Sequence, residues 1–210
     1  SKAFQIPLEY SQRAGMITGD LAEVASIAKV KGRGGLSKVG FTVFKPVTLM
    51  LAQMANDVGE ALKEHGGTSA FEFKLDGARV QIHKLGDDVR IFSRRLTDVT
   101  ESLPEIAELV RRNVKDKEAI LEGEVIAVDN NECPIPFQHL MRRFKRVHAV
   151  ENMVKEIPVK LYLFDVLFLD GKSLITVPYL ERRRILANNA GQIHLAKQSV
   201  TDKVEEAERF

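Results

Sequence analysis

The chain has 210 residues, 44% hydrophobic and 29% charged, with a formal net charge of +2. That mixture suits a globular protein and excludes an intrinsically disordered one, and so small a positive balance means that any nucleic acid must be bound through local patches. The single cysteine, Cys133, excludes an internal disulfide or a cysteine-rich zinc site and fits a cytoplasmic setting, and no apolar run or leader-like start calls for a membrane.

Residues 1–30 read as helical. In TGDLAEVASIAK either Thr18 or Asp20 can cap a helix whose Leu21, Val24, Ala25 and Ala28 recur at helical spacing. KVKGRGGLSKVG, at 29–40, has four glycines and four basic residues and reads as a flexible positive loop, with a domain boundary near 32–40. Pro46 is expected to open the next helix, with Leu51, Met54, Val58 and Leu62 as its apolar stripe and Gly66-Gly67 as its stop. AFEFKLD then reads as a strand. Its alternation places Phe71, Phe73 and Leu75 in the core and Glu72, Lys74 and Asp76 together on the other face.

After a bend at Gly77, ARVQIHK continues as a strand, with Ala78, Val80 and Ile82 opposite Arg79, Gln81 and His83; LGDD, 85–88, turns it into a hairpin with VRIFSR. A short amphipathic helix runs from Leu103-Pro104 to Val114. Two apolar strands follow at 119–128 and 159–170, and Pro178 opens a final helix carrying Arg182-Arg183-Arg184. In the second strand Phe164 alternates away from Leu161, Leu163 and Leu167. The class is α+β or mixed, with no internal repeat.

Lys74 is the first candidate for chemistry. A row of exposed charge at a strand end would look the same, but a lysine followed by Asp76 and Gly77 also suits a nucleophile in a cleft that a phosphate or ribose approaches closely. An ordinary lysine, with a pKa of about 10.4, is neutral in only about one molecule in a thousand near pH 7.5. A nucleophilic lysine therefore needs cations or desolvation close by, for which Arg79, Arg94 and a divalent metal are candidates. Glu122 and Glu124 share one strand face; they suit an acidic edge, ribose hydroxyls, a metal, or the carboxylate pair of a glycosidase. Phe164 is either core or a stacking platform for a base. In HLMRRFKRVH, Arg142, Arg143, Lys145 and Arg146 cluster around Phe144, as a solvated face or a phosphate contact; Arg33 and Lys38 offer the same chemistry in the glycine-rich stretch. No metal-ligand spacing, G-x-S-x-G or Walker-type loop occurs.

EFKLDGAR at 72–79 resembles the nucleotidyl-lysine motif of ATP-dependent DNA ligases, a superfamily shared with RNA ligases and mRNA capping enzymes. FSRR (92–95), LEGEV (121–125), PFQ (136–138) and LFDVLFLDG (163–171) follow in that family's order, and FKPVTLMLAQ is similar to the segment that introduces its catalytic domain. The resemblance looks closest to archaeal enzymes. It implies an antiparallel-sheet-rich, ATP-grasp-like nucleotidyltransferase fold for residues 38–210, with 1–37 as the end of a helical DNA-binding domain and a basic linker. It implies Lys74 as the residue that carries AMP, Glu72 at the adenine amino group, Arg79 and Glu124 near the ribose, Arg94 near the nucleotide or the nick, Phe164 stacked on adenine, and Asp76 and Gly77 shaping the loop. ATP and Mg2+ are implied as cofactors, nicked double-stranded DNA as substrate in replication, repair and recombination, and a replication sliding clamp as a partner through an N-terminal region absent from this sequence.

The family's last glutamate and lysine motifs and its oligonucleotide-binding domain do not occur before Phe210. The expectation is therefore a partial adenylation domain with an unpaired sheet edge, one that does not necessarily charge itself. An RNA ligase, a capping guanylyltransferase and a non-catalytic DNA-binding piece are the competing expectations.

Overall fold

The computed structural model describes residues 5–49, 51–145 and 150–210. Its first elements are the helices α1 (Leu8–Thr18) and α2 (Leu21–Ser37), which form a hairpin. Asp20 caps α2 by accepting from the amides of Ala22 (2.8 Å) and Glu23 (3.3 Å), two of the donors a helix start leaves without partners. Ile6, Ala14, Val24, Ala28 and Leu36 make a small core of their own. The stretch 29–40 is thus not the expected loop. Helix α2 continues to Ser37 with a kink at Gly32 (φ 56°, ψ −151°), because Leu36 extends the buried stripe of Val24 and Ala28 and packing overrides the weak helix propensity of glycine.

The helix expected from Pro46 is also absent, and α3 is confined to Val58–Glu64. Tertiary hydrogen bonds instead fix the start of this segment. Val47 N–H donates to the Gln81 side chain (2.8 Å) and Thr48 N–H to the carbonyl of Met16 (3.0 Å), so this segment ties the sheet to the helical hairpin. Asp57 caps α3 instead, accepting from Glu60 N–H at 2.8 Å. Leu51 and Met54 stand exposed, not packed in a stripe.

The central sheet consists of β2 (Ala78–Leu85), β3 (Asp88–Ser93), β4 (Glu118–Ala127), β5 (Val159–Leu169) and the two-residue β6 (Lys172–Ser173), in the order β3-β2-β4-β5-β6 and antiparallel throughout; β7 (His194–Leu195) adds to β5 in parallel. A separate two-stranded ribbon pairs β1 (Ser69–Glu72) with β8 (Gln198–Thr201). Helices α4 (Pro104–Asn113), α5 (Phe137–Lys145), α6 (Val150–Glu156) and α7 (Tyr179–Asn189) follow between the strands. Helix α8 (Val204–Arg209) comes after α7, which is therefore not the last helix. The hairpin and the two long strands stand where the sequence places them.

One face of the sheet makes the main core, where Val80, Ile82, Leu121, Val125, Leu161, Leu163 and Val166 meet Ile106 and Val110 of α4, Leu140 of α5 and Leu186 of α7. Alternation in β5 does not persist. The β4–β5 register shifts between Glu122 and Gly123, which pair with Asp165 and Leu163, so Phe164 is the extra residue of a bulge; a second shift leaves Val166, not Leu167, in the core.

Within the basic cluster of α5, Arg143 is not free to meet a phosphate. Arg143 is 2% exposed; it forms a two-pronged ion pair with Glu105 at the start of α4 and donates to the carbonyls of Ile157 (3.1 Å) and Ser102 (2.7 Å), which fastens α5 to α4. Arg142 is exposed and pairs with Glu156. Arg146 and the side chain of Lys145 lie outside the described residues.

Arg143→Met is expected to destabilise the fold by about 3 kcal/mol, because it strands Glu105 and two carbonyls, whereas Arg142→Ala on the exposed pair is expected to cost under about 0.5 kcal/mol. Urea unfolding checks this. A lower midpoint at unchanged slope for Arg143→Met alone is the expected result.

Candidate active site

The site lies on the opposite face of the sheet. Period-two alternation turns Arg79, Gln81 and His83 of β2 and Glu122 and Glu124 of β4 to that side, with Arg79 directly opposite Glu124 and Gln81 opposite Glu122. Gln81, His83 and Glu122 are buried there, at 2%, 0% and 1% exposure, and they satisfy one another. His83 Nδ1 accepts from Phe44 N–H (2.9 Å), so Nε2 carries the proton and donates to Gln81 Oε1 (2.8 Å). Gln81 Nε2 donates to Glu122 Oε1 (2.6 Å), and Arg79 Nε–H donates to Glu122 Oε2 (2.8 Å). A continuous chain of hydrogen bonds therefore runs from the backbone at 44–47 to the Arg79 guanidinium, which in turn lies 5.3 Å from the centre of the Phe164 ring. Burial pushes the Glu122 carboxyl up, and Arg79 and Gln81 pull it back; burial pushes the His83 imidazole down to about 4.

Strand β1 stops at Glu72, two residues before the lysine. Phe73 N–H still bonds to the carbonyl of Lys197 (3.2 Å), but Leu75 N–H folds back to the carbonyl of Phe73 (3.1 Å), a three-residue turn with Lys74 at its centre. Glu72, Lys74 and Asp76 thus do not share a strand face, and Phe73 is 44% exposed, not an anchor in the core. The turn lifts Lys74 away from the ribbon, with Nζ donating to Leu75 O at 3.2 Å.

The chain re-enters the sheet at Gly77. A Cβ there would lie 2.3 Å from the Val125 carbonyl oxygen and 2.9 Å from Glu124 Cγ, so the glycine is required by close approach to β4. This approach also brings Lys74, Arg79 and Asp76 within electrostatic reach of Glu124. Burial pushes the Glu124 carboxyl up, Lys74 and Arg79 oppose that shift, and Asp76 adds to it.

A cavity of about 860 Å3 is lined by Glu72, Lys74, Gly77, Arg79, Arg94, Glu124 and Phe164, and Leu49, Leu51, Phe137, Met141 and Phe144 supply apolar wall. Ser93 N–H bonds to Thr97 O (2.9 Å) across a tight turn that holds Arg94 and Arg95 exposed at the rim. Seven of the expected nucleotide-site residues therefore meet in one place. Asp76 is exposed outside the lining. Arg33, on α2, lies over the Tyr10 ring, and Lys38 is exposed beside the helical hairpin. Among the described residues no three metal-ligating side chains cluster.

Sequence reasoning missed the dependence of Arg79 on Glu122, Gln81 and His83. It also missed Tyr179, whose hydroxyl donates to Glu72, and Gln198 on β8. Alternation did place Gln81 and His83 on the same face as Arg79, and that was the available signal. Tyr179 and Gln198 are distant in sequence from Glu72 and gave none.

His83 is neutral in the fold because its ordinary value of 6.5 falls to about 4. Stability that depends on it is complete above pH 6.5 and is lost as pH drops toward 4, about 2 kcal/mol of it between pH 7.5 and 5. Urea unfolding at those two pH values is expected to show this extra slope in the wild type and not in His83→Leu; equal slopes would mean that the buried imidazole does not carry it.

The sequence profile of the family described as "ATP dependent DNA ligase domain" matches residues 49–210. The chain is 50% identical to the DNA ligase of Thermococcus fumicolans over 213 aligned residues and 46% identical to that of Archaeoglobus fulgidus; each alignment covers 100% of this chain and 38% of the relative. The crystal structure of the ligase domain from M. tuberculosis LigD is similar at a TM-score of 0.51 and 25% identity, over 66% of this chain and 42% of that one. The chain thus spans about 38% of the length of these curated relatives. A profile match over most of the sequence, with this identity to archaeal relatives, places the chain in the ATP-dependent DNA ligase domain family.

Proposed function

We propose that this chain is the adenylation core of an enzyme that seals nicks in double-stranded DNA through a lysyl-AMP intermediate. The observation that carries this reading is Lys74, held at the centre of a turn on the wall of a cavity that it shares with Glu124, Arg79 and Phe164. Lys74 Nζ attacks the α-phosphorus of ATP; a P–N bond forms, the P–O bond to pyrophosphate breaks, and the nitrogen loses a proton. The AMP passes to the 5′-phosphate at a nick, and the 3′-hydroxyl then displaces it. Phe164 offers a face for the base. Arg79, fixed by Glu122 and in contact with that ring, and Glu124, opposite it in the ladder, meet the ribose. Arg94 at the rim meets phosphate.

The carboxylate set fits magnesium only as an ion held by Glu124 together with the nucleotide's phosphates, the arrangement this metal takes where a protein offers one or two carboxylates. Bound there, it would neutralise phosphate charge. Residues 1–37 are the end of a helical DNA-binding domain, a division supported by their separate small core, with 38–210 as the adenylation domain. The exposed cations Arg33 and Lys38 are the candidates for phosphate contact. An enzyme of chromosomal nicks works in the cytoplasm of an archaeal cell; among the described residues no helix is long and apolar enough to cross a membrane.

Incubated with ATP and Mg2+, the protein at its natural full length is expected to gain the mass of one AMP, and Lys74→Ala none. Phe164→Leu is expected to raise the KM for ATP about tenfold, as the loss of one stacking platform would. Intact mass spectrometry and single-turnover charging measure both. A folded wild-type protein that stays unmodified overturns the reading, and sealing of nicked RNA but not nicked DNA overturns the choice of substrate.

A further inference from the structure

The hydrogen bonds and ion pair of Glu72 all end on one oxygen. The Tyr179 hydroxyl donates to Oε1, Gln198 Nε2 lies 3.4 Å from it, and Arg183 Nε faces it at 3.8 Å. Gln198 Nε2 also donates to the Tyr179 oxygen at 3.2 Å, which closes a triangle around the carboxylate. Each partner is fixed by the fold. Gln198 sits directly opposite Glu72 in the β1–β8 ladder. Tyr179 opens α7, and the buried Arg183 one turn later anchors that helix through the carbonyls of Leu163 (3.0 Å) and Ala196 (2.6 Å). Burial, and then the bond to Glu72, push the Tyr179 phenol far up, so at neutral pH it is a donor toward the carboxylate. Oε2 is left without a protein partner among the described residues, on a side chain that lines the same cavity as Lys74 and Phe164.

We propose that Tyr179, supported by Gln198, is a positioning residue that sets nucleotide specificity: it fixes the Glu72 carboxylate so that its second oxygen is a preset acceptor for the amino group of adenine. This rests on reading the cavity as the nucleotide site. Guanine carries a carbonyl oxygen where adenine carries that amino group, so a fixed carboxylate gains a hydrogen bond from one base and meets an acceptor on the other. A glutamate free to change rotamer would lose part of that discrimination in two ways. Binding would have to order the side chain, and the carboxylate could swing to solvent when guanine is present.

The test is equilibrium binding of ATP and of GTP to the full-length protein by isothermal titration calorimetry, in a Lys74→Ala background so that no covalent step intervenes. Tyr179→Phe keeps the ring and removes the donor. It is expected to lower the ATP:GTP affinity ratio about tenfold, mostly through weaker ATP binding, as loss of a charge-assisted hydrogen bond would. Glu72→Gln is expected to lower the ratio by itself, and adding Tyr179→Phe to it is expected to change nothing more, because the tyrosine acts only through the carboxylate. A Tyr179→Phe ratio within twofold of its parent, or an equal loss for both nucleotides, overturns the proposal while leaving ATP binding and the ligase reading intact. Absence of ATP binding in the parent overturns that reading, and this proposal with it.

Discussion

Glu122 is a carboxylate at 1% exposure, and much of the site is arranged to keep it paired. An ionised carboxyl left alone at such depth would take up a proton or destabilise the fold, and removing one partner of a buried pair costs about 3–5 kcal/mol. Arg79 supplies the charge and Gln81 the second hydrogen bond, so each carboxylate oxygen has a donor. Gln81 must then satisfy its own oxygen, which accepts from Val47 N–H and from His83, and His83 must satisfy Nδ1, which accepts from Phe44 N–H. One buried acid thereby determines the path of a loop more than 70 residues earlier in the sequence. The Arg79 side chain stays about one-third exposed, so the pair is dry at the glutamate end and open to a ligand at the arginine end.

Two glycines let this arrangement fit beneath a cavity. A Cβ at Gly123 would come within 2.9 Å of both the Tyr162 carbonyl oxygen and Leu161 Cδ1, and one at Gly77 within 2.3 Å of Val125 O. Both therefore hold β4 close to its neighbours on either side of Glu124. The β4–β5 register shift begins at Gly123 and ejects Phe164 as the bulged residue. Close approach and register shift thus coincide at Gly123, and the surplus residue, Phe164, faces the cavity.

The long strands, the hairpin and helix α4 were legible because each has a strong period and clear punctuation: Gly86 at the hairpin turn, Pro104 at the helix start. The failures share a physical cause. Between Pro46 and Asp57 the apolar residues recur at helical spacing, but Val47 and Thr48 are tied to Gln81 and Met16, contacts that no local pattern records, and Leu51 and Met54 stay exposed. At 29–40 the glycines suggested a loop while Leu36 was buried against α1. AFEFKLD alternates well enough for a strand, yet it leaves its ladder after Glu72 and turns at Lys74. Residue types identified Glu72, Lys74, Arg79, Arg94, Glu124 and Phe164, which come together in the cavity lining. The neighbours that orient them were not legible, because Gln81, His83, Tyr179 and Gln198 are ordinary residues until the fold sets them beside a carboxylate.

The two halves of the cavity rest on different foundations. Arg79, Glu124 and Phe164 belong to long strands paired on both sides within the central sheet. Glu72 and Lys74 belong to the end of a two-stranded ribbon, an element with little stability of its own. Chain connectivity at residues 73–77 and at 196–197, between β7 and β8, and the first turns of α7 join the ribbon to the sheet. Tyr179 reaches Glu72, while Arg183 holds the carbonyl of Leu163 on the sheet side and that of Ala196 just before β8. Helix α7 therefore helps to fix where β1 stands relative to Phe164 and Glu122. The cavity thus combines a rigid sheet, which carries Arg79, Glu124 and Phe164, with an exposed turn at the ribbon's end, which leaves the Lys74 amine freer to move than the groups that face it.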